Sequence, residues 1–238
     1  MGWKRAAVFG SSGGIGAALV EALAASGAHV LAGSRSGRGP DRANVSNFRF
    51  DLKDEASIAE AAISWRGYPP DLVIVATGVL TLEDGTGPER SFKHLDADAM
   101  ARMFGLNTIG PALVAKHVLP LFARDEPATF AAISARVGSI GDNRIGGWHS
   151  YRASKAALNM LIRNFAIELA RTHRQAIAVG LHPGTVDTAL SEPFQNNLPE
   201  GQLTAPGQSA ANLLDVLANL GPKDSGGVFD YKGEPVEP

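Results

Sequence analysis

Tyr151 and Lys155 lie four residues apart in Tyr151-Arg152-Ala153-Ser154-Lys155, within a long run of helical character. Residues at i and i+4 share one helix face, so both side chains can point into one cleft. A free phenol has a pKa of about 10 and exchanges protons poorly at neutral pH. A neighbouring ammonium favours the phenolate and lowers that value, which makes a better proton shuttle. Lys155 can also hold the ribose hydroxyls of a nicotinamide cofactor. The same spacing arises by chance as an ordinary helix-surface pair, so its meaning depends on its company.

The first companion is Gly10-Ser11-Ser12-Gly13-Gly14-Ile15-Gly16. Glycines let a backbone turn tightly and approach a pyrophosphate, and the following helix start offers unpaired N–H groups and the positive end of its dipole. A glycine turn alone can also be a plain strand-to-helix connection. Here it stands at the first βα junction, which favours nucleotide binding, although Gly-x-x-x-Gly-x-Gly differs from the dehydrogenase Gly-x-Gly-x-x-Gly. The next strand ends in Gly33-Ser34-Arg35. An acid there would serve the ribose hydroxyls of NAD. Ser34 does not repel a 2′-phosphate, and Arg35 can pair with one through its planar fork, with Arg38 as a second candidate. This points to NADP(H), against the reading that both arginines are solvated loop charges. Asp51 can accept from an adenine amino group or serve at a helix start.

Short β-rich runs alternate with helical patterns. Strands are expected at Arg5–Phe9, His29–Gly33, Asn47–Phe50, Leu72–Ala76, Ala128–Ser134, Ala176–His182 and Gly227–Tyr231. Helices are expected at Gly14–Ser26, Asp54–Trp65 with Asp54 as N-cap, Ala97–Ala123 with an interruption near Pro111, Ser150–Arg171 and Pro206–Leu220. This alternation predicts an α/β fold with one doubly wound parallel sheet of about seven strands and helices on both faces, residues 1–238 forming a single domain. Ligands of such sheets bind beyond the carboxyl ends of the strands, where the loops Ser36–Asn44 and Thr188–Ala205 emerge. Phe194, Leu198 and Leu203 in the second loop can form a lid over an apolar substrate or act as packed anchors.

Together these residues resemble the short-chain dehydrogenase/reductase family over nearly the whole chain. Gly10, Gly14 and Gly16 match its cofactor loop. Asn107, in Asn107-Thr108-Ile109-Gly110, matches the helix asparagine that maintains a water-linked proton relay to the lysine. Pro183-Gly184-Thr185-Val186-Asp187-Thr188 matches the segment lying against the nicotinamide. The resemblance implies a Rossmann-type fold and a crevice for NADP(H) involving Gly10, Ser12, Gly14, Ile15, Gly16, Ser34, Arg35, Asp51, Leu52, Ala76, Thr77, Gly78, Tyr151, Lys155, Pro183, Gly184, Val186 and Thr188. Ser134-Ala135-Arg136-Val137-Gly138-Ser139, the Tyr151–Asn159 run and Phe229-Asp230-Tyr231-Lys232-Gly233 are similar to the C-factor and sniffer-type carbonyl reductase branch. Members of that branch are tied to cell–cell signalling and to reduction of reactive carbonyls.

Two positions depart from the family pattern. Val75-Ala76-Thr77-Gly78 stands in place of Asn-Asn-Ala-Gly, a change that backbone contacts to a cofactor tolerate. Ala135 stands where the family has the serine that holds the substrate carbonyl. Ser134 can replace it if the strand ends one residue out of register, and Ser139 can do so from the longer loop. A one-residue slip turns a strand side chain to the other face, so Ser134 is no free replacement.

The expected function is therefore that of an NADP(H)-dependent oxidoreductase interconverting a carbonyl and an alcohol. Tyr151 acts as acid/base, with Lys155, Asn107 and Ser134 completing the catalytic set. The alternative is a cofactor-binding signalling or sensor protein with little catalysis, motivated by Ala135. The net charge of -2 gives no reason to expect nucleic acid or an anionic membrane as partner, and zero cysteines exclude disulfides, thiolate nucleophiles and zinc–thiolate sites. The histidines lack metal-ligand spacing, so no metal is expected. No apolar run is long enough to span a bilayer or to form a signal peptide, and Ala6 breaks the myristoylation pattern after Gly2. The chain is expected to be cytoplasmic. Family resemblance implies a homodimer or homotetramer, formed through the helices following Asn107 and Tyr151.

Overall fold

In a computed structural model, residues 2–197 and 201–238 are described. Seven strands form one sheet: β1 (Arg5–Phe9), β2 (His29–Ser34), β3 (Val45–Arg49), β4 (Leu72–Val75), β5 (Ala128–Ile133), β6 (Ala176–His182) and β9 (Val228–Asp230). Their spatial order is β3-β2-β1-β4-β5-β6-β9, and every pairing is parallel. A short parallel pair, β7 (Thr185–Val186) and β8 (Leu203–Thr204), lies apart from it.

The central strands are apolar on both faces because helices cover both. Along β1, Ala6 and Val8 pack with Leu19, Val20 and Leu23 of α1 (Gly14–Ala25) and with Leu213 and Leu214 of α6 (Pro206–Asn219). Ala7 and Phe9 face the opposite core, with Ile58 of α2 (Glu55–Ser64), Val114 of α4 (Gly110–Val118) and Leu158 and Ile162 of α5 (His149–Thr172). The expected doubly wound architecture is therefore present. Asp54 caps α2, accepting from the Ala56 N–H.

The expected interruption near Pro111 falls one turn earlier. Helix α3 (Ala97–Phe104) runs into a π turn over Gly105–Ile109, and α4 then begins with Pro111 in its first turn. Proline cannot donate a backbone hydrogen bond, and its ring crowds the carbonyl four residues back, here that of Asn107. The wider i to i+5 winding relieves both. Strand β2 continues to Ser34, one residue past its expected end, and β3 begins at Val45 rather than Asn47. Among the described residues no helix is long and apolar enough to cross a membrane.

Candidate active site

The switch point lies between β1 and β4, where the strand order reverses. A cavity of about 400 Å³ opens beyond the carboxyl ends of the strands there. The glycine turn forms one wall. Ser11, which the motif reading passed over, donates its hydroxyl to the Gly33 carbonyl at 2.9 Å and so ties the turn to β2. A Cβ at Gly16 would lie 2.1 Å from the Gly10 carbonyl oxygen, so only glycine lets α1 start this close beneath the turn. No side chain caps α1, and Gly13, Gly14 and Ile15 line the cavity at its start. The first N–H groups of a helix have no intrahelical acceptor, so this end is prepared for an anion.

Tyr151 and Lys155 emerge from the first two turns of α5 into the same cavity, both almost wholly buried. The Lys155 ammonium lies 5.9 Å from the centre of the Tyr151 ring and donates to the Ile133 carbonyl at 2.8 Å. Burial pushes the Tyr151 phenol up to about 12 and pulls the Lys155 ammonium down to about 8. The expected lowering of the phenol by its lysine is thus corrected. Desolvation of the phenolate outweighs an ammonium that is engaged elsewhere.

Asn107 is fully buried inside the π turn. Its side-chain oxygen accepts from the Val79 N–H at 2.8 Å, and its amide donates to the Val79 carbonyl at 2.9 Å and to the Ser154 hydroxyl at 3.2 Å. It therefore locks the chain after β4 onto α5 between Tyr151 and Lys155. A Cβ on Gly78 would lie 3.3 Å from the Lys155 ammonium and 3.4 Å from the Asn107 oxygen, so the bare backbone leaves that corner open. Ser154 was not singled out in the sequence, where it reads as filler within the Tyr-x-x-x-Lys spacing.

The missing serine is resolved geometrically. Ala135 belongs, with Tyr151, to a small apolar cluster that also holds Leu80, Leu82, Ala99 and Met103. Ser134 also lines the cavity, but its hydroxyl donates to the Asn159 side-chain oxygen at 2.6 Å. Ser139 faces away, accepting from the Asp142 N–H and donating to the Pro238 carbonyl. Neither stands free beside the phenol.

Ala76, Thr77 and Gly78 line the cavity, as do Pro183, Gly184, Val186 and Thr188. The Thr77 hydroxyl is buried without a hydrogen-bond partner. Gly10, Ser12, Gly16, Ser34, Arg35, Asp51 and Leu52 lie outside this cavity lining. Ser12 is exposed. Ser34 is buried, its hydroxyl donating to the Arg38 carbonyl. Arg35 is exposed and pairs with Glu83 at 2.6 Å. Asp51 accepts from the Lys53 N–H in the turn ahead of α2, whose N-cap is Asp54, and Leu52 lies against Gly110. Of the lid residues, Leu198 and the Phe194 side chain lie outside the described residues, whereas Leu203 pairs with Thr185 and is partly exposed. Leu190, Val137 and Trp148 add apolar lining.

A profile of short chain dehydrogenases matches residues 4–199. The chain belongs to the short-chain dehydrogenase family. Among its relatives is a 1-hydroxy-2-glutathionyl-2-methyl-3-butene dehydrogenase of Rhodococcus sp. (strain AD45), 35% identical over 178 residues, which are 74% of this chain and 73% of that protein. The C-signal protein of Myxococcus xanthus is 35% identical over 168 residues, 71% of this chain and 92% of that protein. Among solved structures, an NADPH-bound carbonyl reductase from chicken fatty liver superimposes with a TM-score of 0.83 at 27% identity, covering 98% of this chain and 94% of that one. The carbonyl reductase Sniffer of D. melanogaster shares the fold, with a TM-score of 0.84 at 21% identity and coverage of 98% and 99%. The expected likeness to the C-signal protein is thereby found, and Sniffer shares the fold.

Proposed function

We propose that this oxidoreductase reduces a carbonyl to an alcohol with NADPH, Tyr151 serving as the proton donor. The observation that carries this reading is the burial of Tyr151 and Lys155 side by side in one cavity whose far wall is the uncapped, glycine-lined start of α1. The likeness to an NADPH-bound carbonyl reductase supports it.

The residues present fit a dinucleotide. The α1 start suits its phosphates, and the buried Thr77 hydroxyl has an unfilled hydrogen-bonding capacity at the cavity wall. Arg35 directly follows β2 and would pair with a 2′-phosphate on exchanging its contact with Glu83. The cofactor, when bound, supplies the hydride that reaches the carbonyl carbon. Tyr151 gives its proton to the carbonyl oxygen, so that C=O becomes CH–OH. Burial keeps it protonated at neutral pH, the form a proton donor needs. Lys155 supplies positive charge beside the ring as the phenolate forms. Asn107 holds the two walls of this corner together through Val79 and Ser154. The apolar lining from Leu80, Val137, Trp148 and Leu190 suits a carbonyl attached to an apolar group and keeps water from the transfer. A non-catalytic sensor would have no need of this buried pair, and that reading gains no support.

Tyr151→Phe is expected to lower turnover on a panel of apolar aldehydes and ketones by at least about 100-fold, while the NADPH dissociation constant stays within a few fold. Normal turnover in that variant would refute the role. Arg35→Asp is expected to shift preference from NADPH to NADH in steady-state kinetics, and an unchanged preference would overturn the cofactor assignment.

A further inference from the structure

The helix that carries Tyr151 begins in an unusual way. Gly146, Gly147 and Trp148 all have positive φ, at 68°, 66° and 50°. Two glycines adopt this left-handed region freely, but a tryptophan does not. A residue held there requires surroundings that impose the conformation. The N-cap position of α5 is Trp148 itself, and no side chain of its own segment caps the helix.

The imposing contact comes from a distant part of the chain. Glu89 lies in the loop between β4 and α3. Its backbone carbonyl accepts from the Trp148 N–H at 2.6 Å. Its carboxylate accepts from the Ser150 N–H at 3.1 Å and from the Ser150 hydroxyl. Burial alone would push the Glu89 carboxyl up, but the bonds from Ser150 together with backbone bonding hold it below the usual carboxylate range. It is therefore a carboxylate at the positive end of α5, where an anion is favoured. Ser150 immediately precedes Tyr151. The Trp148 ring lines the cavity and meets the Tyr151 ring edge to face, with centres 6.2 Å apart.

We propose that Glu89 is a positioning residue for the reaction, acting as a cap supplied from another loop that fixes the first turn of α5 and thereby sets Tyr151 and the Trp148 wall at the substrate end of the cavity. The proposal rests on the reading of Tyr151 as proton donor. Its physical basis is independent of the substrate's identity: one side chain and its own carbonyl satisfy orphan N–H groups on both sides of the turn that aims the phenol.

Two variants test it, with hydrogen exchange by mass spectrometry alongside kinetics. In Glu89→Ala, peptides covering residues 146–152 are expected to exchange at least ten-fold faster, while peptides from α1 and the central strands stay unchanged. The same variant should lose at least ten-fold in kcat, with NADPH affinity held within two-fold. Glu89→Gln, whose amide oxygen still accepts from Ser150, should recover most of the loss in both readouts. Unchanged exchange at residues 146–152, a general loosening that includes α1, or a kcat equal to that of the parent in Glu89→Ala would overturn the proposal. A failed reading of the overall reaction shows itself differently, as a parent protein that binds NADPH but turns over no carbonyl, and the exchange measurement still decides the role of Glu89 as a cap in that case.

Discussion

Position 135 carries a methyl group in the apolar cluster that includes Tyr151, where the family pattern carries a serine hydroxyl. The neighbouring serines do not compensate, since Ser134 bonds to Asn159 and Ser139 to the end of the chain. Reduction builds negative charge on the carbonyl oxygen, and a single preorganised donor at such a site is commonly worth a factor of about 100 or more. On the proposed mechanism Tyr151 alone would supply that donor. Ala135→Ser is therefore expected to raise kcat at least about ten-fold on small carbonyl substrates, as measured by NADPH oxidation. An unchanged kcat would mean that the added hydroxyl cannot reach the oxygen that Tyr151 is proposed to protonate. The alternatives of Ser134 and Ser139 were legible in the sequence, but the choice between them was not. A hydroxyl's partner depends on which face of β5 it occupies and on what α5 presents there.

At the scale of elements, the site is assembled from helix starts and strand ends that local sequence describes unevenly. The glycine turn was readable because its function depends on the absence of side chains, which composition reveals directly. Gly16→Ala is expected to destabilise the fold by about 1–3 kcal/mol in urea unfolding, the usual range for an inserted methyl in a packed region. It should also weaken NADPH binding more than ten-fold, because the added Cβ meets backbone rather than a flexible side chain. Wild-type affinity in that variant would exclude the turn from the binding site. The π turn around Asn107 was only partly readable. Pro111 announces an irregularity, but whether the helix kinks, breaks or widens depends on what packs against it. Here Val79 and Ser154 claim both ends of the Asn107 side chain. The start of α5 was the least readable element, since the helix was expected from Ser150 but begins at His149 with Trp148 as N-cap, and Ser150 bonds to Glu89, 61 residues away.

For the whole molecule, burying Tyr151 and Lys155 together couples stability to pH. Lys155 has its ammonium pulled from 10.5 down to about 8, so the unfolded chain binds more protons between these values and stability rises with pH there. This contribution is present in full above about 10.5 and is lost as pH falls through about 8. Tyr151, pushed from 10.0 up to about 12, contributes stability that is present below 10 and lost as pH rises through about 12. Between pH 8 and 10 the lysine acts alone of the two. Urea unfolding should therefore show the parent protein gaining on the order of 1–3 kcal/mol relative to Lys155→Met from pH 8 to pH 10. A constant difference between the two across that range would contradict the burial of the ammonium.

By itself the sequence determined the doubly wound sheet and the family, and it singled out Tyr151 and Lys155 as a pair. Strand alternation, bare glycines and helical spacing are local properties that survive in one dimension. Only the tertiary structure decided the state of that pair. The ordinary expectation for a tyrosine beside a lysine is a lowered phenol, but packing closes the cavity around both groups and turns the ammonium to the Ile133 carbonyl. Desolvation is a property of everything that surrounds a group, and those surroundings come from β4, β5, α3 and the loop before α5. No spacing along the chain carries that information.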